Sequence, residues 1–405
     1  MRASPMAEFS VNEYAQRMEG LVRELRARGM DGALISSREN TRYFCGLQSI
    51  IWSSKVSTPG ILLVNADGAH ELIGSASSVE TARYTSVIDD GAHSCFNRNG
   101  LPGVPATYPQ AIAAAFRKLK LERGRVGMEL GEGAYLQLQL QWFEQLAGLL
   151  PGATFADASD AIFALRGIKS EAEIERMARA CRQNEESLRF AFANVAPGRD
   201  TEADFFRLYA QEAFRRGCEN VSYDLAPLSV VYGRARFDRA GCPCGDTRIE
   251  ARPHETLVAS GGLYTDGYFS NLTRVGIVGG MTERQKKYFG VASDALALAR
   301  TLIRDGASVR AVSARVDDFI RAAAGPEACR WRDDLGFGVG LDLREPPLLK
   351  RLSQRDAPFR AGMTLCICPR VGDAETGLMA AAQQIVVREG GVQALSEAPE
   401  APCIL

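Results

Sequence analysis

Apolar and polar residues follow one another along the first 165 residues in a pattern that predicts helices and short buried strands. Apolar residues recur at helical spacing over residues 11–29, and further helices are predicted over residues 107–120 and 133–150. Short apolar runs between turn residues predict strands in the segments DGALIS, PGILLVNADG, HELIGS and RVGMEL. We therefore expect an α/β domain whose mixed or parallel sheet is covered by helices.

The pattern changes near residue 165 and then repeats itself. A long amphipathic helix is predicted over residues 170–195, where Ser170 and Glu173 form a capping box that satisfies backbone N–H groups. The later elements are helices over residues 201–217, 282–304 and 308–323, and strands within 221–278 and 336–394. Two rounds of a helix pair followed by strands predict an α+β domain with internal duplication. The expected domains are residues 1–165 and 166–405.

The composition of this 405-residue chain limits the classes of partner that we expect it to bind. Lys plus Arg (48) nearly balance Asp plus Glu (49), so charge gives no reason to expect nucleic acid or an anionic membrane as a partner. The N-terminal residues lack the apolar run of a signal peptide, and no stretch of about 18 apolar residues predicts a membrane span. We expect a cytoplasmic protein whose ten cysteines are thiols or ligands rather than disulfides.

The second half of the chain also carries a series of motifs. They are IKSEAEIERMARACRQNEES, VAPGRDTEADF, DGYFSNLTRVG, MTERQKKYFGVASDA, GFGVGL, LREPP and FRAGMTLCICP. In order and spacing they resemble the creatinase, prolidase and aminopeptidase P family, and RENTRYFCGLQ resembles a turn of that family's N-terminal domain. The resemblance implies a creatinase-type α/β domain followed by a pita-bread domain made of two related halves.

The resemblance further implies where the family's metallopeptidases hold two divalent ions. Their ligands are two aspartates, one histidine and two glutamates, which suit ions that activate a water molecule. A further histidine of the family is replaced here by Arg344. The five ligand positions hold Ser260, Asn271, Phe337, Cys368, and either Ala382 or Gln383. We therefore predict that the metal site is lost, that no cofactor is needed, and that the chain is not a working metallopeptidase.

Creatinase keeps the same fold without metals and uses a histidine, but that chemistry is not expected here either. The region of its catalytic histidine reads CPC at residues 242–244. His254 is the only histidine in the second half of the sequence, and we interpret it as a surface or turn residue.

Four cysteines near the expected pocket leave three hypotheses open. Cys366 and Cys368 alternate on a predicted strand and share a face, while Cys242 and Cys244 are expected in a loop beside the same cavity. In the first hypothesis Cys368 is a nucleophile or acid–base group whose thiolate is favoured by Arg344. In the second, the four thiolates hold one zinc or iron ion. In the third, the thiols are small buried side chains that fill space.

Arginines suggest what the pocket binds. Arg344 would be a buried cation that needs a partner, such as Asp238, Glu345 or a ligand carboxylate. The alternative is that Arg344 pairs with acids on the surface, among which are Asp238, Asp246 and Glu250. Further arginines precede the first core strand, and they either line the pocket or pair with surface acids: Arg234, Arg236, Arg239, Arg248 and Arg252.

Two other residues are candidates with structural alternatives. Asp266 offers an acid, but Asp-Gly is typical of a hairpin turn. Trp52 follows the RYFCGL turn, in a loop that in the family caps the pocket of the partner subunit. The resemblance therefore implies a homodimer in which Trp52 lines the site, although burial in the core is an equal alternative.

These residues lead to a functional hypothesis and an alternative. The leading hypothesis is a metal-independent hydrolase or lyase, acting on a small polar molecule that we expect to carry a carboxylate. Its substrate-binding residues would be Ser260, Asn271, Phe337, Gln383, Asp238, Cys242, Cys244 and Trp52, with Cys368 and Arg344 as catalytic residues. The reaction would be creatinase-like C–N hydrolysis or related tailoring chemistry in a biosynthetic pathway. The alternative is a non-catalytic pseudopeptidase that binds a peptide or protein.

Overall fold

The computed structural model describes residues 1–49, 52, 60–96, 102–223, 226–227, 230–233, 247–325, 328, 334–350 and 356–405. The chain divides into two units, Met1–Arg166 and Gly167–Leu405. In the described residues, none of the helices combines the length and the apolar character that crossing a membrane requires.

Helices and strands are interspersed in the first unit. Its helices are α1 (Val11–Ala27), α2 (Arg38–Cys45), α3 (Ala76–Thr85), α4 (Tyr108–Lys118), α5 (Leu140–Leu149) and α6 (Ser159–Arg166). Its strands are β1 (Gly32–Ile35), β2 (Ile61–Asn65), β3 (His70–Ser75), β4 (His93–Phe96), β5 (Arg125–Met128) and β6 (Thr154–Asp157).

These strands form one mixed sheet in the order β4-β3-β2-β1-β5-β6. Strand β2 is antiparallel to β1 and β3, whereas β5 runs parallel to β1 and β6, and β4 parallel to β3. Leu34, Leu63 and Val126 on the sheet join Ile112 and Phe116 of α4 in one apolar core. The predicted α/β domain is confirmed.

One predicted helix is shorter than its sequence pattern. Residues 133–150 were expected to be helical throughout, but α5 begins only at Leu140. Gly133 adopts a left-handed φ of 80°, which a right-handed helix cannot contain. The backbone N–H of Gln137 donates to Ser36 Oγ at 3.0 Å, so a tertiary bond takes the place of a helical one.

A buried carboxylate, Glu129, lies directly after β5 and close to the start of α2. It accepts hydrogen bonds from the backbone N–H groups of Ser36 (2.6 Å) and Ser37 (3.0 Å). The hydroxyls of both serines and the amide of Asn40 also donate to it. Each carboxylate oxygen is thus bonded by at least two donors, which compensates the loss of water around the charge.

The second unit contains two helix pairs and a larger set of strands. Its helices are α7 (Glu171–Asn194), α8 (Glu202–Arg215), α9 (Glu283–Leu302) and α10 (Val309–Ala324). Strands β7 to β11 are Ser222–Tyr223, Ala226–Pro227, Val230–Gly233, Thr256–Thr265 and Tyr268–Ile277. Strands β12 to β19 are Asp334–Gly338, Glu345–Lys350, Thr364–Ile367, Arg370–Asp373, Gly377–Ala380, Gln383–Arg388, Gly391–Ala394 and Cys403–Ile404.

These elements form two related halves. Helices α7 and α8 pack against a four-stranded sheet in the order β19-β11-β10-β9. Helices α9 and α10 accompany a five-stranded sheet in the order β13-β12-β14-β17-β18. The predicted capping box is confirmed, because Ser170 and Glu173 each bond the other's backbone N–H at the start of α7. The duplicated α+β architecture is confirmed as well.

Candidate functional site

Three polar residues share one face of the hairpin formed by β10 and β11. Ser260 on β10 lies directly across from Thr273 on β11. Asn271 lies two residues before Thr273 on β11, so its side chain points to the same face. Ser260 Oγ lies 3.1 Å from Thr273 Oγ1 and 3.5 Å from Asn271 Oδ1. The opposite face, which includes Leu257 and Leu272, packs into the core under α7 and α8. The polar group therefore lies on the face turned away from these helices.

The five-stranded sheet, called the second sheet below, meets this hairpin at Asn271. Phe337, Cys366 and Gln384 are in register across β12, β14 and β17, so they share a face. The Cys366 thiol donates to the backbone carbonyl of Asn271 at 3.3 Å. The Gln384 amide accepts from the Asn271 backbone N–H at 3.1 Å and donates to the Phe269 carbonyl at 3.4 Å. A cross-strand pair of side chains thus holds both backbone groups of Asn271.

The register of the second sheet also places Cys368 and Ala382. Ile367 pairs with Gln383, and the same register continues beyond them into the β15–β16 hairpin. Cys368 therefore lies opposite Ala382, on the face that meets Asn271. Gln383 points to the other face, where its Nε2 donates to the Ser396 carbonyl at 2.8 Å. Of the two residues that the resemblance leaves open for the fifth ligand position, Ala382 lies on the face that meets Asn271 and Gln383 lies on the other face.

The two thiols of β14 differ in their contacts. Burial and the neighbouring Cys368 sulfur raise the pKa of the Cys366 thiol well above its ordinary value, so it remains a protonated donor. Cys368 is equally buried, but its sulfur makes no hydrogen bond within the described residues. Of this pair, Cys368 is thus the thiol that has no structural bond.

Arg344 lies at the rim of this face and is not buried. Its guanidinium stacks on the Phe337 ring, 5.0 Å from the ring centroid, and its side chain is 42% exposed. Its Nη2 donates to Asp334 at 2.5 Å, whereas Glu345 pairs with the buried Lys169 at 2.9 Å. The expectation of a buried cation paired with Glu345 or Asp238 is therefore wrong for Glu345, and Asp238 lies outside the described residues.

Two other candidates, Asp266 and His254, lie in turns. Asp266 occupies the turn between β10 and β11 with a φ of 49°, as the structural alternative predicted, and its carboxylate pairs with Arg179. His254 lies in a turn with a φ of 66°, where its ring nitrogen bonds the Gly280 carbonyl at 2.7 Å.

Trp52 and a group of six polar residues are further candidates from the sequence. Trp52 is buried in the first unit, and its role at a dimer interface stays a prediction. Outside the described residues lie Arg234, Arg236, Asp238, Arg239, Cys242 and Cys244.

Sequence reasoning missed three residues around the site. Thr273 and Gln384 each lie two positions from a former ligand position, so strand alternation brings them to the same face. That spacing is a usable signal once the ligand positions are assigned. Asp334, the partner of Arg344, comes from the neighbouring strand β12, and no local pattern marks it.

Both units match family models. Residues 17–168 match the creatinase/prolidase N-terminal domain, and residues 175–393 match metallopeptidase family M24. The second match covers more than half of the chain. The chain belongs to metallopeptidase family M24.

Its relatives in the M24 family include peptidases. An uncharacterized peptidase of Bacillus subtilis, YqhT, is 24% identical over 93% of this chain and 96% of its own length. The Xaa-Pro dipeptidase of Pyrococcus furiosus is 26% identical over 60% of this chain and 67% of its own length. A dipeptidase structure from Pyrococcus horikoshii superposes with a TM-score of 0.81 at 23% identity, covering 96% of this chain and 100% of that one.

Membership of the M24 family raises the question of whether these residues fit metal ions. Within the described part of the chain, no group of three or more His, Cys, Asp or Glu side chains could hold a metal. The positions that the resemblance assigns to metal ligands offer a hydroxyl, an amide and a thiol, together with the apolar side chains of Phe337 and Ala382. Divalent ions of this kind need carboxylate or imidazole ligands, so the residues present do not fit a pair of them.

Proposed function

We propose that this M24 family member is a metal-independent hydrolase acting on a small polar molecule bound against Ser260, Asn271 and Cys368. The supporting observation is that three of the five positions that the resemblance assigns to metal ligands hold polar groups. Ser260 and Asn271 share a face of the β10–β11 hairpin, and Cys368 lies two residues from Cys366, whose thiol bonds the Asn271 carbonyl. A site that had lost all function would be expected to fill with apolar side chains, since buried polar groups without partners destabilise a fold. Because relatives are peptidases, the C–N bond of an amide is the bond we expect to be cleaved.

The polar groups suit an amide carbonyl. Asn271 Nδ2 makes no hydrogen bond within the described residues, so its two N–H groups are available to a ligand. The Ser260 and Thr273 hydroxyls lie beside it. Fixed neutral donors of this kind stabilise negative charge as it develops on a carbonyl oxygen.

Cys368 is the proposed nucleophile. Its sulfur would attack the carbonyl carbon, the thiol proton would pass to the leaving nitrogen, and the C–N bond would break. Water would then hydrolyse the thioester, releasing the acid and restoring the thiol. Arg344 would hold a carboxylate of the substrate at the rim, because guanidinium groups bind carboxylates in a bidentate manner.

The test is turnover of a panel of small amides and amino-acid derivatives, with elemental analysis of the same protein. We expect turnover that a chelator leaves unchanged, and a loss of at least about 100-fold in Cys368→Ala. Cys95→Ala, which removes a thiol from the first unit, is the matched control and should keep full activity.

Two results would contradict the proposal. One is turnover that appears only after loading with Mn²⁺ or Co²⁺. The other is no turnover of any panel member by the untreated protein. Undiminished turnover in Cys368→Ala would remove the nucleophile assignment alone.

A further inference from the structure

Charge is distributed unevenly over the candidate site. The side chains of Ser260, Asn271, Thr273 and Cys368 are all neutral. Charged groups in the described residues lie beside them, where the partly exposed Arg344 and the largely buried Arg370 approach Asp334. We infer that the site selects a monoanionic ligand with an uncharged acyl end, such as an N-acylated amino acid, over free amino acids and dipeptides. This inference rests on the site of the proposed function.

Arg344, at the exposed edge of the site, supplies the anion-binding group. Arg344 is fixed from two sides, by the ring of Phe337 and by Asp334. Only its Nη2 donates a hydrogen bond within the described residues, so Nε and Nη1 remain available, and the side chain is partly exposed. A guanidinium whose orientation is already set loses little freedom when it binds a carboxylate.

The floor of the site is formed by Ser260, Asn271 and Thr273, and the donors it offers to a ligand belong to Asn271. Asn271 Nδ2 has both N–H groups available, whereas Asn271 Oδ1 is approached by the Ser260 hydroxyl. The Ser260 hydroxyl donates to Asn271 Oδ1 and the Thr273 hydroxyl then donates to Ser260, so the outward donors at this place are the N–H groups of Asn271. An acyl carbonyl oxygen, which only accepts hydrogen bonds, matches this set.

An ammonium group does not match the floor. It carries a positive charge and three donors, and it would face the N–H groups of Asn271. The described residues of the floor include no carboxylate that could neutralise it, because the positions that carry acids in the family's metallopeptidases hold Ser260, Asn271, Cys368 and Ala382. Burying an ammonium without a counter-charge is unfavourable. Free amino acids and dipeptides, which carry an ammonium, are therefore excluded from this binding mode.

The test compares two matched series of ligands by isothermal titration calorimetry. One series contains N-acetyl derivatives of the common amino acids, and the other contains the same free amino acids together with Xaa-Pro dipeptides. We expect the best N-acetyl compound to bind at least ten-fold tighter than its free counterpart. The N-acetyl methylamide, which lacks the carboxylate, should also bind at least ten-fold more weakly.

Variants assign the preference to named residues. Arg344→Ala should abolish the advantage of the carboxylate over the methylamide, whereas Arg304→Ala, which removes an exposed arginine from the same unit, should leave it unchanged. Asn271→Asp should shift preference toward the free amino acids, because it adds the missing negative charge. Ser260→Asp serves as a second charge-adding variant if Asn271→Asp fails to fold.

The outcomes separate this inference from the proposed function. Preferential binding of N-acetyl compounds without turnover would support the ligand class and contradict the hydrolase. Equal or tighter binding of free amino acids or dipeptides, or no binding in either series, would overturn the inference.

Discussion

The buried carboxylate of the first unit and the candidate site of the second unit differ in charge. In the first unit the carboxylate of Glu129 is kept inside the fold, where Ser36, Ser37 and Asn40 donate hydrogen bonds to it. In the second unit the candidate site offers Ser260 and Asn271, which carry no charge. The difference teaches that a buried charge depends on its partners: donors from the chain compensate Glu129, whereas carboxylates at the site would need cations that the chain itself does not supply.

The largest effect is expected when charged side chains are introduced at the candidate site. The variant that combines S260D, N271D, F337H, C368E and A382E rebuilds four carboxylates and one imidazole. We expect it to bind two Mn²⁺ ions per chain and to gain thermal stability when Mn²⁺ is added, because metal binding to the folded state stabilises it. Elemental analysis and thermal unfolding measure both effects. Identical responses to Mn²⁺ in the wild-type chain and the variant would contradict the account.

The converse experiment removes charge from the first unit. Glu129→Leu leaves the buried N–H groups of Ser36 and Ser37 without an acceptor. We expect the free energy of unfolding to fall by about 3–5 kcal/mol. Chemical denaturation measures it, and Glu129→Gln should lose less because one amide oxygen still accepts. A change below about 0.5 kcal/mol in Glu129→Leu, the range of ordinary surface substitutions, would show that the hydrogen bonds matter little.

A smaller effect is expected at the contact that holds Asn271. Gln384→Ala removes the acceptor for the Asn271 backbone N–H and the donor to the Phe269 carbonyl. We predict a loss of about 1–3 kcal/mol and faster hydrogen exchange at the Asn271 amide. Mass spectrometry of peptides containing residue 271 provides the measurement. Gln383→Ala, one position away on the other face, is the control and should leave that amide protected.

The smallest predicted effect is a dependence on pH. Burial raises the pKa of the Cys366 thiol above its ordinary value of 9.0, so the folded state keeps the proton that the unfolded state loses. Stability from this group is therefore complete below pH 9.0 and declines as the pH rises above it. We expect Cys366→Ser, which keeps a hydroxyl donor, to lose stability less steeply than the wild type above that pH. Parallel slopes in denaturation experiments would contradict this assignment.

Much of the architecture could be predicted from the sequence because it depends on local patterns. The long helix α7 begins where Ser170 and Glu173 predict, since a capping box acts within one turn. The helix expected over residues 133–150 was misjudged because Gly133 and the bond from Gln137 to Ser36 outweigh apolar spacing. Local rules therefore fail where distant residues compete for backbone groups.

The candidate site was less predictable for a related reason. In a strand, a shift of one residue reverses the face. An uncertainty of one position therefore made Gln383 a candidate, although Ala382 and Gln384 are the residues on the face that meets Asn271. The pairing of Arg344 with Asp334 depends on a neighbouring strand, and the bond from Cys366 to Asn271 joins two separate sheets. Such contacts have no signature in sequence spacing.

The attachment of β11 to the second sheet has an evolutionary consequence. Along this edge the two halves are joined partly by side chains, with Gln384 reaching two backbone groups of β11, rather than by a continuous backbone ladder. Part of the spacing between the halves at Asn271 therefore depends on the length of one side chain, beside the backbone bond from Phe269 to Gly340. A substitution such as Gln384→Asn, shorter by one methylene, would adjust that spacing without unpairing a strand, so duplicated halves of this kind can diverge in cavity size by single replacements.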